Sequence, residues 1–313
     1  MARRELGPAG LEVALAVAAV MPPGPVVVGC SGGADSLALA MGARWAAARR
    51  DADVTCIVVD HGLQEGSAEV ASHVVRVLRG EGMTAAVRIV RVPAAAPGGV
   101  EAAAREARLG GLAADGHPVL LGHTLDDQAE SVLLALLRGS GTRSLAGMAP
   151  ARGPFLRPLL ELRRATTVQA CREWGVEPWQ DPHNADPRFR RVRARRHLED
   201  LASALGSDVA PALSRSAALA RMDADFLDHL AAEAAAGWET SQGLPVGSVS
   251  PLPDPLRLRA LRDWVVCSGV PNPAMVHVIA VDALVTSWRG QGPVHLPSGS
   301  VRRDGDMLRF TAP

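Results

Sequence analysis

The 313-residue chain has no lysine and no tyrosine. Its 33 basic residues are therefore all arginine. This excludes the phosphate loop G-x-x-x-x-G-K-[ST], whose lysine reaches the phosphates. Aromatics are only 3% of the residues, within a hydrophobic content of 48%. Alanine, valine and leucine must therefore fill the core. The four cysteines, Cys30, Cys56, Cys171 and Cys267, form no C-x-x-C pair. That excludes a zinc ribbon or a thioredoxin-type motif, and isolated cysteines of this kind read as small buried hydrophobes in a reducing compartment. Acidic and basic residues balance at 33 each. No global field draws the molecule to a polyanion, so a nucleic-acid partner has to be met by a local patch. No apolar run reaches the ~20 residues of a membrane span. Arg3 and Arg4 ahead of the apolar stretch 11–21 loosely mimic a secretory signal, but Glu5 and Glu12 interrupt it. An amphipathic helix explains the segment as well, and the chain is expected in the cytoplasm, away from membranes.

The most informative stretch runs from Val26 to Ser36, V-V-V-G-C-S-G-G-A-D-S. A β-branched run followed by a Gly-rich turn and a helix start gathers unpaired backbone N–H groups at one point, a ready anion site. Gly32 and Gly33 permit close backbone approach, while Ser31 and Ser36 offer hydroxyls. Asp35 is the odd member, because a carboxylate repels a phosphate unless a cation lies between them, which points to Mg²⁺. The hexapeptide Ser31-Gly32-Gly33-Ala34-Asp35-Ser36 resembles the S-G-G-x-D-S PP-loop of the ATP pyrophosphatase superfamily. Members of that superfamily cleave ATP between the α and β phosphates and adenylate a carbonyl oxygen.

Strand and helix patterns alternate from residue 25 to about 139. Strands are expected at 26–30, 54–59, 86–92 and 119–122, and helices at 37–50, 68–80, 100–114 and 126–138. Such alternation implies βαβ units and a parallel sheet with both faces covered. Ligands bind such sheets beyond the C-terminal strand ends, where the polar clusters 31–36, 60–62 and 123–127 all fall. Segments 93–99 and 139–154 read as loops and 238–255 as a linker. Residues 210–236, 256–268 and 275–287 read as helices, and 294–296, 300–303 and 307–310 as a small hairpin system. The expected architecture is an α/β PP-loop catalytic domain, 1–207, with a smaller, mostly helical C-terminal domain, 208–313, for substrate recognition.

Four further clusters carry chemistry. Gly122-His123-Thr124-Leu125-Asp126-Asp127-Gln128-Ala129-Glu130 opens a helix at a strand end. A helix cap accounts for one carboxylate there, but Asp126, Asp127 and Glu130 together ask for a cation or an amine. Asp60 and His61 end the second strand. Arg105 and Arg108 share a helix face and suit a phosphate or an RNA backbone. Arg190, Arg191, Arg193, Arg195 and Arg196 crowd a stretch without acids, and the alternation of Arg191, Val192, Arg193, Ala194 and Arg195 does not suit a single helix face. Phosphate contact is the better reading of that run.

Together these motifs resemble the tRNA(Ile)-lysidine synthetase family. The S-G-G-x-D-S loop, the H-G-L segment after strand two, E-A-x-A-R-x-x-R, G-H-x-x-D-D-Q-x-E, R-P-L-L (Arg157-Pro158-Leu159-Leu160) and N-x-D-x-x-F-x-R-x-R-x-R (Asn184 to Arg195) recur in order. The resemblance implies ATP and Mg²⁺ as cofactors, with an isoleucine tRNA bearing a CAU anticodon and free L-lysine as substrates. The C2 oxygen of the wobble cytidine would attack the α-phosphorus, and the lysine ε-amine would then displace AMP. It assigns catalysis to Asp35, Asp126 and Asp127, metal binding to Asp35 and Asp127, and ATP binding to Ser31, Gly32, Gly33, Ala34, Asp35, Ser36, Asp60 and His61. Lysine or tRNA contact falls to Arg105, Arg108, His123, Glu130, Asn184, Asp186, Arg191, Arg193 and Arg195. Gln64, Leu109 and Val192 depart from residues common in the family. Longer members carry a further C-terminal domain, so tRNA selection is expected to rest on fewer contacts here. Oligomeric state, monomer or homodimer, stays open. The rival readings are a thiolase-type PP-loop adenylator and a nucleotide- or RNA-binding protein without turnover.

Overall fold

A computed structural model of the chain describes residues 6–63, 66–93, 99–139, 141–180, 186–240 and 242–313, with the backbone alone at 101. The chain divides into two compact units, Met1–Ala218 and Leu219–Pro313.

In the first unit, α1 (Pro8–Val20) precedes β1 (Gly24–Gly29), α2 (Ala34–Arg50), β2 (Ala52–Asp60), α3 (Ser67–Gly80), β3 (Thr84–Ile89), α4 (Val100–Ala113), β4 (Val119–Leu121) and α5 (Leu125–Leu136). Then follow α6 (Thr142–Leu145), β5 (Ala151–Arg152), β6 (Phe155–Leu156), α7 (Arg164–Trp174), α8 (Arg190–Leu205) and α9 (Ala210–Ala235), the last containing the division between the units. The sheet order is β3-β2-β1-β4-β6-β5. All its pairs are parallel except β5 with β6. The period-2 geometry of a strand assigns the two layers. Val26 and Val28 pack into a large core with α1, α2 and α7, while Val27 joins Ile57, Leu112, Val119 and Leu121 on the other face. Chain order reverses direction at β1, whose neighbours are β2 and β4. The crevice at such a switch point is where α/β sheets bind ligands.

Several expectations need correction. The third strand begins earlier, at Thr84, because its register runs from Thr55↔Thr84 to Asp60↔Ile89 along the sheet edge. Segment 139–154 holds α6 and β5 as well as loop. The arginine run opens α8, which buries Val192, Ala194 and Leu198 and sends its arginines in different directions, in line with the expectation that they do not share one helix face.

The second unit contains β7 (Leu244–Pro245), α10 (Val246–Val249), α11 (Asp254–Cys267), α12 (Met275–Thr286), β8 (Val294–Leu296), β9 (Gly299–Asp304) and β10 (Met307–Thr311). The expected hairpins form a four-stranded sheet, β7-β10-β9-β8. The segment read as a linker supplies β7 and α10, because Leu244, Val246 and Val249 are buried in the core of this unit. Arg257 is buried beside that core, held by Asp282 and Asp254, each at 2.7 Å.

Candidate active site

The turn after β1 is shaped by its own residues. Gly32 adopts φ +87°, and a side chain there would collide with Val74. Gly33 is the extended N-cap of α2, so the first N–H groups of that helix have no intrahelical acceptor. The Ser36 hydroxyl donates to the Gly33 carbonyl at 2.9 Å and accepts from the Ser31 N–H at 3.1 Å. Ser36 therefore braces the loop from beneath. The carbonyl of Gly32 accepts the Trp179 N–H at 2.9 Å, which ties the segment after α7 to the turn. Gly122, at the end of β4, lies so close that a Cβ there would stand 2.8 Å from the Asp35 carbonyl oxygen.

A cavity of about 750 Å³ opens at this point. Ser31, Gly33, Ala34, Asp35 and Ser36 line it, with His123 and Asp127 from the β4 side. Arg105 and Arg108 of α4, Arg164 and Arg172 of α7, and Arg191 and Arg195 of α8 complete a strongly basic wall. Trp179 is the aromatic side chain of the lining. Burial, and then the charges of Arg105 and Arg191, make Arg108 easier to deprotonate than a free arginine. Its Nε is buried without a hydrogen-bond partner among the described residues. An anion in the cavity would relieve both penalties.

Arg164 joins the acidic residues. It donates from Nε to Asp35 at 3.1 Å, from one terminal nitrogen to Asp127 at 2.6 Å and from the other to Glu130 at 3.4 Å. Asp35 also accepts the Thr167 hydroxyl. Asp127 takes the Thr124 N–H at 2.9 Å and its hydroxyl at 3.1 Å, forming a capping box that starts α5. Burial dominates at Asp35 and raises its pKa. At Asp127 burial pushes the same way, but Arg164 and the Thr124 hydrogen bonds prevail and hold it below the usual carboxylate range. Burial, reinforced by Arg157, Arg105 and Arg108 against the opposing charge of Asp127, pushes His123 down to about 3. Its imidazole is neutral near pH 7, with Nδ1 unpartnered among the described residues.

Other expected residues lie elsewhere. Asp126 is absent from the cavity lining: it accepts the Arg164 N–H at 2.7 Å and pairs with Arg163 at 2.8 Å, docking the start of α7. Glu130 is almost fully buried and bound to Arg195 at 2.8 Å. Asp60 accepts the Gly62 N–H and His61 the Leu63 N–H, so both shape a turn outside the lining. Arg193 donates to the carbonyls of Pro187 and Arg188 instead of facing the cavity. Asp186 binds the N–H and guanidinium of Arg188. Asn184 lies outside the described residues. Sequence reasoning missed Arg164, Thr167 and Trp179. The R-P-L-L motif ends shortly before Arg164, but nothing local marks that arginine among its neighbours.

No group of three or more histidine, cysteine, aspartate or glutamate side chains suited to a metal occurs among the described residues. Asp35 and Asp127 nevertheless fit Mg²⁺, which commonly takes one or two carboxylates and completes its shell with phosphates and water. A guanidinium already stands between them as a substitute cation.

A glycine turn at the switch point of a parallel sheet, with two carboxylates beside it, defines an ATP-binding PP-loop fold. Residues 13–202 match the PP-loop domain model, and residues 244–309 the TilS substrate binding domain. The fold is shared with the U34-tRNA thiolase NcsA from Methanococcus maripaludis, solved with its [4Fe-4S] cluster (TM-score 0.53, 16% identity, 67% of this chain and 77% of that one). Curated relatives are far closer in sequence. The tRNA(Ile)-lysidine synthase of Cutibacterium acnes is 50% identical over 98% of both chains. That of Salinispora tropica is 48% identical over 91% of this chain and 90% of its own, and that of Mycobacterium tuberculosis 48% over 90% and 89%. The chain belongs to the tRNA(Ile)-lysidine synthase family. No helix among its described residues is long and apolar enough to cross a membrane.

Proposed function

We propose that this chain joins lysine to C2 of the wobble cytidine of a CAU-anticodon isoleucine tRNA, consuming ATP and releasing AMP and pyrophosphate. The observation that carries the reading is the convergence of the PP-loop, Asp35, Asp127, His123 and the arginine wall on one cavity. The free N–H groups at the start of α2 bind the departing pyrophosphate and stabilise the charge that develops on it. Attack of the C2 oxygen on the α-phosphorus converts a poor leaving oxygen into part of AMP. Asp35 and Asp127 would hold Mg²⁺, which when bound would neutralise phosphate charge. Arg105, Arg108 and Arg191 meet phosphate groups of ATP or of the anticodon backbone. The target base is unstacked cheaply in a single-stranded loop.

The lysine ammonium must lose a proton before it attacks C2. That proton passes to solvent; neutral His123 on the cavity wall orients the incoming amine without repelling it, and Asp127 offsets the positive charge that develops on the amine nitrogen as it bonds to C2. The unit at residues 219–313, together with the rest of α9, contributes to tRNA selection.

The test is pyrophosphate release by the purified protein with ATP, each amino acid in turn and the CAU-anticodon tRNA. Release that needs both lysine and this tRNA supports the reading. Release that needs a sulfur donor instead moves the chain to the thiolase type, and none under any combination leaves a binding protein without turnover.

A further inference from the structure

Arg164 occupies the oxygens that a cation would need. Its Nε lies on Oδ2 of Asp35, and a terminal nitrogen on Oδ1 of Asp127. The other two oxygens of these carboxylates already have donors. Oδ1 of Asp35 takes the Thr167 hydroxyl, and Oδ2 of Asp127 takes the Thr124 N–H and hydroxyl. A cation and Arg164 therefore compete for the same pair of atoms.

Two partly buried carboxylates side by side repel unless positive charge lies between them. Arg164 supplies that charge from within the chain. Its position is itself secured, because Asp126 caps the Arg164 N–H and Arg163 pairs with Asp126. Glu130, only 1% exposed, takes a third nitrogen. Free Mg²⁺ can displace this guanidinium only by breaking charge-assisted hydrogen bonds and shedding its own tightly held water. A triphosphate changes the balance. It supplies oxygens to the cation and offers the planar guanidinium a new, bidentate partner.

We propose that Arg164 is the resident counter-ion of Asp35 and Asp127, and that a divalent cation displaces it together with ATP but not alone. The proposal rests on Asp35 and Asp127 being the metal ligands, as put forward above. Arg164 is then a positioning residue. It keeps the carboxylates apart and oriented in the empty enzyme, and it couples metal entry to nucleotide entry. Such coupling is reciprocal, so each ligand strengthens the other equally.

Mn²⁺ is the probe, with its binding to the full chain followed by electron paramagnetic resonance, alone and with a non-hydrolysable α,β-methylene ATP. The wild type is expected to bind Mn²⁺ weakly alone and at least about tenfold more tightly with the nucleotide. R164M is expected to bind Mn²⁺ alone about tenfold or more tightly than wild type, and R164K to stay near wild type. General damage to the fold would weaken binding, so a gain is specific to release of the carboxylates. Equal or weaker binding by folded R164M overturns the proposal. So does wild type that binds Mn²⁺ equally well with and without nucleotide, an arm that decides even if R164M fails to fold. D35N and D127N separate the two claims. If both keep nucleotide-dependent Mn²⁺ binding, the ligand assignment fails and the proposal falls with it. If both lose it while R164M shows no gain, the assignment stands and the counter-ion role alone is refuted.

Discussion

Lowering the pH should destabilise the first unit through His123, and the size of the effect follows from its surroundings. The imidazole has a native pKa of about 3, against 6.5 for an unperturbed histidine, because burial and the arginines of the cavity wall oppose its charged form. Between these values the unfolded chain binds a proton that the native state refuses. Stability from this residue is therefore complete above the unfolded pKa and lost as pH falls toward the native one. Going from about pH 7 to about pH 5, the loss is about 2 kcal/mol. Asp127 adds loss of the same sign, but only at lower pH, because its depressed pKa lies beneath the usual carboxylate range. Urea unfolding of wild type and H123Q at both pH values isolates the histidine, since every other titrating group is common to the two proteins. Wild type should lose about 2 kcal/mol more than H123Q over that interval. An equal loss in both would mean that His123 titrates in the native state as it does in the unfolded chain. Burial and the neighbouring arginines would then not oppose its charged form.

Three further outcomes are expected. D126A should destabilise the protein by about 1 kcal/mol through loss of the α7 cap, while D126N, which still offers an acceptor, stays closer to wild type; chemical denaturation checks both. Adding a Cβ at Gly122 should push on the Asp35 backbone 2.8 Å away and raise KM for ATP, at about 1–3 kcal/mol of overpacking; unchanged KM would mean the PP-loop yields without effect. R191A should raise KM for tRNA and flatten its salt dependence by about one phosphate contact, whereas R193A, whose side chain is tied to the backbone, should leave the salt slope unchanged.

The parts of this site that the sequence announced are those made by consecutive residues. The strand, glycine turn and helix start at 26–36 lie in one short piece of chain, and their geometry follows from local sterics and helix-end hydrogen bonding. The cap at Thr124 and Asp127 is equally local. The arginine run was visible as charge but not as geometry. Helical residues turn by about 100° per step, so Arg191 and Arg195 share the cavity face and Arg193 does not. The same rotation separates the neighbours Asp126 and Asp127, one facing the start of α7 and the other the cavity.

By itself the sequence determined the parallel α/β class, the nucleotide loop and the family, because strand and helix periods and contiguous motifs encode them. Only the tertiary structure decided which charges meet. Arg164 lies 129 positions from Asp35 in the chain yet 3.1 Å from it in space. Nothing in an arginine's neighbours along the chain specifies the carboxylate it will find on another helix, because that pairing depends on how α2, α5 and α7 pack at the switch point.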